Sequence, residues 1–480
     1  TYKSKAKNMQ TNDIADISAS SPSMLNAMGR RRFLQHSAAG LVGMALAPNI
    51  LSQEAKGANN RIRIGMIGVG NMGSQHVQSF SGIEGASISA IADVFLPRAE
   101  ASAKWLHDNN RVGKGQKVDV YQDYRKILER DDIDAVVIAV PDHWHALLTI
   151  HAAQAGKHIY CQKPFSHTIW EGRQMVKAVD KYNVVLQTGS QQRSSIVSNI
   201  GITHLRNGTL GKIKHVHASS YGSPFENGFP GTPVPDGLDW DTWCGPSQKP
   251  EYNRNIWSNE RDSVPTWSGL RLYGGGTMTD WGGHGLDMIQ WGLDMDHTGP
   301  EEVWVEGQPF VPFTSTPENN GGRRMGSLSP KIFMKYANGV TVEFEGGDKF
   351  GAIFVCENGR LNLTREYAKS DPIELARKPL ANPKVQIYRG FEYAKKNPHD
   401  RNWLECIRTK EATAAPAETG HRSATVCHLG NIARWVSGVT GETGQKLKWD
   451  SVNERFTNSD VANQYLRKTY REGFEVPEVV

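Results

Sequence analysis

Residues 61–73 have the sequence Arg-Ile-Arg-Ile-Gly-Met-Ile-Gly-Val-Gly-Asn-Met-Gly, in which a short apolar run ends in Gly68-x-Gly70-x-x-Gly73. An apolar strand that leads through a glycine turn into a helix is the arrangement that binds a dinucleotide pyrophosphate. Gly68 would permit the tight turn, Gly70 would let the backbone approach phosphate, and Gly73 would let the helix pack on the strand. The anion would then lie on the unpaired amides at the positive end of that helix.

A carboxylate at the end of the next strand supports this interpretation. Residues 88–93 read Ile-Ser-Ala-Ile-Ala-Asp, an apolar strand that ends in Asp93, twenty residues beyond Gly73. Such a carboxylate suits a ribose 2′-hydroxyl and repels a 2′-phosphate, so we expect NAD rather than NADP. The alternative is a glycine-rich turn in some other α/β protein. The predicted cofactor-binding residues of this segment are Gly68, Gly70, Asn71, Met72, Gly73 and Asp93.

Strand and helix patterns alternate from Arg61 to Gln187, which predicts a parallel, doubly wound Rossmann sheet. The predicted strands are Ile62–Val69, Ala86–Ala92, Asp119–Tyr121, Ala135–Val140, His158–Cys161 and Val184–Gln187. The predicted helices are Asn71–Phe80, Pro97–Asp108, Tyr124–Arg130, His145–Ala155 and Ile169–Tyr182.

The pattern changes in the second part of the chain. One helix, Ser195–Asn207, precedes long β-type segments with few helices between them, such as Ile213–Ser220, Glu302–Glu306, Lys331–Tyr336, Val340–Glu345 and Ala352–Glu357. This predicts a second α/β domain with a large, open sheet that is mixed or antiparallel. A helix over His421–Ser437 is expected to pack back on the first domain. The predicted divisions are a leader at 1–60, a Rossmann domain at 61–190, a substrate and oligomerisation domain at 191–450 and a tail at 451–480.

The composition indicates a soluble globular protein of two or three domains, since the 480 residues are 38% hydrophobic and 22% charged. A net charge of +5 with scattered basic residues gives no nucleic-acid footprint, and no stable membrane span is expected. The five cysteines are widely spaced and form no CxxC pair, so no zinc or iron–sulfur site is predicted. Several of the thirteen tryptophans lie between Trp240 and Trp291, either as core residues or as platforms for sugar rings.

The first sixty residues have the pattern of an export segment. Residues 29–35 read Gly-Arg-Arg-Arg-Phe-Leu-Gln, and an apolar, small-residue run follows from Ser37 to Leu51. A basic region before a short apolar run is typical of an export signal, and paired arginines before x-Phe-Leu indicate the twin-arginine route. That route carries folded proteins, so the prediction is a periplasmic protein that acquires its nucleotide before export. The alternative is a basic, disordered N-terminus.

The fourth strand ends in residues 139–146, Ala-Val-Pro-Asp-His-Trp-His-Ala. Ligands of open α/β sheets bind at the carboxyl ends of the strands, so Pro141 to His145 should border the nicotinamide. Pro141 would set the turn. His143 and His145 would contact cofactor or substrate, or would equally well cap and satisfy the following helix.

The fifth strand ends in residues 160–165, Tyr-Cys-Gln-Lys-Pro-Phe. Lys163 at this strand end, followed by Pro164, should point into the cleft where a hydride donor would lie. Burial there would lower its pKa, which makes Lys163 a candidate proton donor or acceptor for interconverting a hydroxyl and a ketone.

A third candidate cluster lies in residues 274–291, where Asp280 and His284 are four residues apart. On a helix they would share one face, with Asp287 and Trp291 continuing the stripe. A carboxylate and an imidazole on one face can bind or deprotonate a polyol hydroxyl. Two alternatives are a metal site, for which no third ligand has a recognisable spacing, and an N-terminal Asp cap beside a core histidine.

Three motifs in this order resemble the glucose–fructose oxidoreductase/inositol dehydrogenase (Gfo/Idh/MocA) family over roughly residues 60–450. They are Gly68-x-Gly70-x-x-Gly73, the Cys-Gln-Lys163-Pro form of the family's Glu-Lys-Pro signature, and Asp280-x-x-x-His284. The resemblance implies a Rossmann domain and a C-terminal α/β domain whose open sheet supports a homo-oligomer, a dimer or tetramer. It also implies a cleft in which Lys163 and His284 transfer the proton, nicotinamide takes the hydride and Asp280 has an orienting role.

The departure from the family pattern is Gln162, where the family usually has glutamate. An amide can still hydrogen-bond a ribose hydroxyl, so Gln162 and Lys163 join Pro141 and His145 as predicted cofactor-binding residues. The export signal and the tryptophan-rich insertion resemble the exported, carbohydrate-processing branch.

An exported enzyme has no nicotinamide pool around it, so tightly retained NAD with internal recycling is expected. One consistent reaction is oxidation of a sugar or polyol with return of the hydride to a second substrate. The other is redox-neutral glycoside hydrolysis by transient C3 oxidation and elimination, which needs the same cofactor and base. A third class is a nucleotide-loaded binding protein without turnover, against which the intact set of Lys163, Asp280 and His284 argues.

Overall fold

A computed structural model describes residues 61–113, 116–258, 266–319, 326–347, 351–385, 387 and 396–480. The predicted leader and its twin-arginine signal lie outside these residues. No helix of the described chain is both long enough and apolar enough to cross a membrane.

The first part of the chain alternates strands with helices. Its strands are β1 (Ile62–Ile67), β2 (Ala86–Ala92), β3 (Asp119–Tyr121), β4 (Ala135–Ile138), β5 (His158–Cys161) and β6 (Leu186–Thr188). Its helices are α1 (Asn71–Phe80), α2 (Leu96–Asp108), α3 (Arg125–Leu128), α4 (His145–Gln154) and α5 (Ile169–Lys181).

These six strands form one parallel sheet in the order β3-β2-β1-β4-β5-β6. The central strands β1 and β4 are apolar and almost fully buried, as helices on both faces of a parallel sheet require. The order reverses between β1 and β4, and it is at such a switch point that ligands bind. The predicted doubly wound Rossmann sheet is confirmed.

The second part contains a larger sheet and the remaining helices. Its helices are α6 (Ile196–Arg206), α7 (Trp240–Cys244), α8 (Thr277–Asp280), α9 (Gly282–Leu293), α10 (Pro398–Thr409), α11 (Ala417–Thr440) and α12 (Asp460–Asn463). Its strands are β7 (Ile213–Ala218), β8 (Glu226–Asn227), β9 (Glu302–Glu306), β10 (Thr314–Ser315), β11 (Lys331–Lys335), β12 (Thr341–Glu343), β13 (Ala352–Cys356), β14 (Gly359–Leu363), β15 (Ala368–Asp371), β16 (Leu447–Asp450) and β17 (Arg455–Phe456).

Nine of these strands form a mixed sheet in the order β15-β14-β13-β7-β12-β11-β9-β16-β17. Only the described pair β7–β12 is parallel, and the other neighbours are antiparallel. One face, which includes Val216, Val342 and Phe354, packs in a single apolar core with helices α9 and α11. The predicted mixed sheet is confirmed, with strands β14 to β17 in addition to those expected.

Helix α11 joins the two parts of the molecule. At its start Glu418 pairs with Arg173 of α5 at 2.7 Å, and farther along His428 hydrogen-bonds the Ser166 carbonyl at 3.0 Å. The C-terminal residues also return to the first part, where Phe474 packs edge-on against Trp144 and Val479 is buried. The division predicted at residue 190 stays a prediction, because these later segments pack against both sheets.

Candidate active site

A cavity of about 1500 Å³ lies between the carboxyl edge of the parallel sheet and helices α8 and α9. Pockets for drug-sized ligands are typically about 300–1000 Å³, so this cavity has room for a dinucleotide together with a small substrate. Most of the predicted site residues line it, namely Gly68, Gly70, Asn71, Met72, Asp93, Pro141, Gln162, Lys163, Asp280 and His284.

The glycine turn between β1 and α1 is shaped as the sequence predicts. Gly68 has a φ of +80°, and a Cβ there would lie 2.7 Å from the Ala139 carbonyl oxygen on β4. A Cβ on Gly73 would collide with the Gly68 carbonyl, which explains how α1 approaches the strand so closely. Around Gly70 only the Arg98 guanidinium lies within 4 Å of such a Cβ. The turn therefore leaves an open cradle over the amides that begin α1, which fits a pyrophosphate.

Asp93 follows β2 and lines the cavity beside this turn. Its carboxylate accepts hydrogen bonds from the backbone amides of Val69 and Phe95, both at 2.9 Å. The Arg98 Nη1 lies 3.9 Å from the Asp93 Oδ1. Asp93 therefore keeps a fixed position beside the cradle. The sequence analysis did not identify Arg98, because its place over Gly70 depends on how α2 returns to the turn.

Lys163, Asp280 and His284 meet at the other end of the cavity. The Lys163 Nζ donates to the Asp280 carboxylate at 2.5 Å and to its backbone carbonyl at 3.0 Å. His284 is buried, and its Nδ1 has no hydrogen-bond partner among the described residues. Burial lowers the pKa of the His284 imidazole well below its usual range, and the Lys163 ammonium lowers it further. At neutral pH the site therefore holds a neutral imidazole that can accept a proton.

The helix predicted to carry Asp280 and His284 is divided in two. Helix α8 ends at Asp280 and α9 begins at Gly282, with Trp281 between them. Asp287, farther along α9, does not line the cavity and pairs with the buried Arg193 at 2.8 Å. Each charge of this ion pair neutralises the other, which offsets the cost of removing both groups from water.

The histidines after β4 lie behind the cavity wall. His145 is fully buried and contacts the carbonyls of Pro164, at 2.7 Å, and Val140, at 3.0 Å. His143 contacts the Trp243 carbonyl at 3.0 Å. Burial lowers the pKa of His143 to about 3 and that of His145 to about 4, so both are neutral. The position of His145 therefore does not support the predicted direct contact with the cofactor. It suits the alternative, in which the histidine satisfies backbone groups near the start of the following helix.

Gln162 takes part in a buried polar network on the sheet side of the cavity. Its amide lies 2.5 Å from the His76 Nε2, and its carbonyl accepts from the Lys163 backbone amide at 3.3 Å. On the far side of His76, the Asp400 carboxylate lies 4.0 Å away. Burial lowers the pKa of His76, and the Asp400 carboxylate opposes this effect.

The cavity also contains charged groups that the sequence did not single out. Asp142 is buried, and its Oδ2 has no hydrogen-bond partner in the described chain. Burial raises the pKa of Asp142 well above its ordinary value, against the opposing effect of the Lys163 ammonium. Arg365, which follows β14, lines the cavity with its guanidinium 5.8 Å from the Trp281 ring. Neither residue belongs to a spacing that sequence reasoning could recognise.

The parallel sheet and its glycine cradle define a Rossmann-type dinucleotide-binding protein of the α/β class. The chain belongs to the Gfo/Idh/MocA oxidoreductase family. Residues 62–190 match the family's NAD-binding Rossmann fold, and residues 224–476 match its C-terminal alpha/beta domain.

Curated relatives match only part of this chain. "Glycosyl hydrolase family 109 protein 1" of Shewanella sp. (strain MR-4) is 28% identical over 166 residues, which are 33% of this chain and 34% of that protein. "Uncharacterized oxidoreductase YrbE" of Bacillus subtilis (strain 168) is 36% identical over 155 residues, 30% of this chain and 43% of that one. The chain therefore spans about a third of the length of the glycosyl hydrolase relatives that it matches.

Solved structures share the fold across most of the chain. Levoglucosan dehydrogenase, in complex with NADH and levoglucosan, has a TM-score of 0.52 at 17% identity, covering 80% of this chain and 100% of that one. The myo-inositol dehydrogenase of Lactobacillus casei, with NAD(H) and myo-inositol, has a TM-score of 0.51 at 18% identity, covering 82% and 98%. These similarities show the fold.

Replacing Asp93 by Ser should weaken the preference for NAD over NADP. Removing a carboxylate that accepts from ribose costs about 1.5–3 kcal/mol, so we expect the ratio of NADP to NAD affinity to rise roughly tenfold or more. Fluorescence titration of the apo-protein with both nucleotides measures this ratio. Lys104→Ala, at an exposed position on α2 that does not line the cavity, is the control. An unchanged ratio in Asp93→Ser would remove the ribose contact from this description.

Proposed function

We propose that this protein oxidises a hydroxyl group of a sugar or polyol with a tightly retained NAD. The observation that carries the proposal is the meeting of Lys163, Asp280 and His284 beside the glycine cradle, in one cavity. A proton donor and a neutral imidazole are the groups that interconversion of an alcohol and a ketone requires. Structural relatives named as levoglucosan and myo-inositol dehydrogenases support carbohydrate or polyol substrates.

The proton in this scheme moves from the substrate hydroxyl to His284, whose lowered pKa leaves it neutral and ready to accept. Lys163 donates a hydrogen bond to the same oxygen while it becomes a carbonyl. Asp280 holds the Lys163 ammonium in place through its side chain and backbone oxygens. The glycine cradle and Asp93 would hold NAD, and a nicotinamide bound there would supply the hydride acceptor for the carbon that carries the hydroxyl.

Retention of the nucleotide is supported by the insertion that precedes α8. Its backbone is fastened to the loop after β2, where the Asp239 amide donates to the Val94 carbonyl at 3.0 Å. The Arg98 guanidinium donates to the Ser258 carbonyl at 3.0 Å and lies 4.9 Å from the Trp257 ring. Arg98, Trp257 and Ser258 line the cavity together with Asp93, so we expect these contacts to slow release of a bound nucleotide.

The redox-neutral glycosidase is the second candidate. The observation in its favour is that several curated relatives are named glycosyl hydrolase family 109 proteins. Transient oxidation at C3 would acidify the C2 proton, which a base in the cavity would remove before elimination and water addition. The same lysine, carboxylate and imidazole serve both reactions.

One experiment separates the two reactions. Purified protein without added nicotinamide is offered free sugars, polyols and nitrophenyl glycosides, while reduced-cofactor absorbance and product are followed together. With a sugar or polyol we expect reduced cofactor to reach about one equivalent and stop, because a retained cofactor turns over once without an acceptor. Release of aglycone over many turnovers without net reduction would establish the glycosidase instead. If neither reaction is observed, the remaining class is a nucleotide-loaded binding protein without turnover.

Lys163→Met should abolish turnover while leaving bound NAD in place. Loss of a positioned proton-transfer group lowers kcat by about 10²–10⁴-fold, whereas the glycine cradle is unchanged. Stopped-flow reduction and the nucleotide content of the purified protein are the two measurements. Lys177→Met, an exposed lysine on α5, is the matched control and should keep both. Loss of cofactor together with activity would refute the role given to Lys163.

We also propose export to the periplasm through the twin-arginine route. The support is the sequence Arg30-Arg-Arg-Phe-Leu34 followed by a short apolar run. Residues 1–60 fused to a folded reporter should deliver it to the periplasm. Delivery that persists after Arg30, Arg31 and Arg32 are all changed to Lys would argue against this route.

The third part of the proposal is a homo-oligomer, a dimer or tetramer, built through the open face of the nine-stranded sheet. Trp304 and Phe333 stack on that face with ring centroids 5.4 Å apart and stay partly exposed. An apolar pair on an otherwise uncovered sheet is a feature of association surfaces. Light scattering of the wild type and Trp304→Glu tests this, and a monomeric wild type would exclude it.

A further inference from the structure

The open face of the nine-stranded sheet carries a cluster that the oxidation chemistry does not use. Val216 on β7 and Val342 on β12 point into the core. Because side chains alternate along a strand, His215, His217 and Glu343 point to the opposite face. The parallel pairing of the two strands sets Glu343 directly beside His217.

The three side chains present their ligand atoms to one point. His215 Nε2 lies 3.3 Å from the Glu343 Oε2, and His217 Nδ1 lies 3.6 Å from the same oxygen. All three ligand atoms lie within 4.8 Å of one another. Zinc bonds of about 2.0–2.2 Å in a tetrahedral arrangement separate neighbouring ligands by roughly 3.3–3.5 Å. The two distances to the Glu343 Oε2 are close to this ligand spacing. Small rotations of the imidazoles would therefore adjust the cluster to a zinc ion.

The surroundings of Glu343 resemble those of a metal ligand. Its second oxygen, Oε1, is bound by the Lys331 Nζ at 2.8 Å, which leaves Oε2 directed at the histidines. Hydrogen bonds to the outer atoms of a ligand fix its orientation and support metal affinity.

The support beneath the cluster is rigid. β7 and β12 lie in the interior of the sheet, with β13 and β11 as their outer neighbours. The inward residues between the ligands are almost inaccessible to solvent. Ligands on paired strands of a packed sheet are held in position before the ion arrives, which lowers the entropic cost of binding.

We propose that His215, His217 and Glu343 form a zinc site on the open face of the nine-stranded sheet. Two imidazoles and one carboxylate are the ligand set that a three-ligand zinc site uses, with the fourth position open to water or another donor. The ion would join β7 to β12 and stabilise the sheet. This proposal departs from the sequence analysis, which predicted no zinc site, because two histidines and a glutamate from separate strands have no recognisable spacing in the sequence.

Zinc binding to the tag-free, chelator-treated full chain tests the proposal. We expect isothermal titration to give about one Zn²⁺ per chain, and Co²⁺ to give the visible bands of a tetrahedral ion. His217→Gln and Glu343→Gln should each weaken zinc at least roughly tenfold, since even the loss of an outer hydrogen bond costs 10–100-fold. Added zinc should raise the Tm of the wild type, because an ion that binds only the folded chain stabilises it.

Two control variants keep the result specific. His297→Gln removes an exposed histidine far along the chain from the cluster and should bind zinc as the wild type does. Lys331→Met removes the outer hydrogen bond to Glu343 but keeps all three ligands, so it should bind zinc more weakly than the wild type and more tightly than Glu343→Gln. The proposal would be overturned if the wild type does not bind zinc. It would also be overturned if His217→Gln and Glu343→Gln bind zinc with the same affinity as the wild type.

Discussion

The Lys163 ammonium and the Asp280 carboxylate meet where the two sheets of the molecule face each other. Lys163 stands at the end of β5, and Asp280 ends α8, which belongs to the second sheet's side of the cavity. This contact places a donor and its acceptor next to His284. The set of reactive groups in the cavity depends on this contact, because the lysine comes from the parallel sheet and the carboxylate and imidazole come from helices α8 and α9.

Burial gives the groups around this contact their chemical character. His284 and Asp142 both lie out of water, which lowers the pKa of the imidazole and raises that of the carboxyl. The positive charge of Lys163 acts on both. A substrate hydroxyl that enters the cavity therefore meets a neutral imidazole at His284 rather than an imidazolium.

The agreement between sequence and structure is strongest where a short stretch of backbone carries the information. The turn at Gly68 needs a positive φ and leaves no space for a side chain, so its glycines are visible in the sequence. Asp93 and Lys163 were found because each directly follows a strand of a parallel sheet, whose carboxyl ends meet at one edge. The binding and proton-transfer roles of these residues stay predictions. Their common location in one cavity is a structural observation.

The sequence by itself determined the parallel sheet, the nucleotide cradle and the family, since these depend on strand periodicity and on glycines within a few residues of one another. Only the tertiary structure decided that His145 faces backbone carbonyls instead of the cavity and that Arg98 and Arg365 enter it. It alone also set Glu343 beside His217. Such contacts join residues far apart in the chain, and their geometry depends on how whole sheets and helices pack, which no local pattern records.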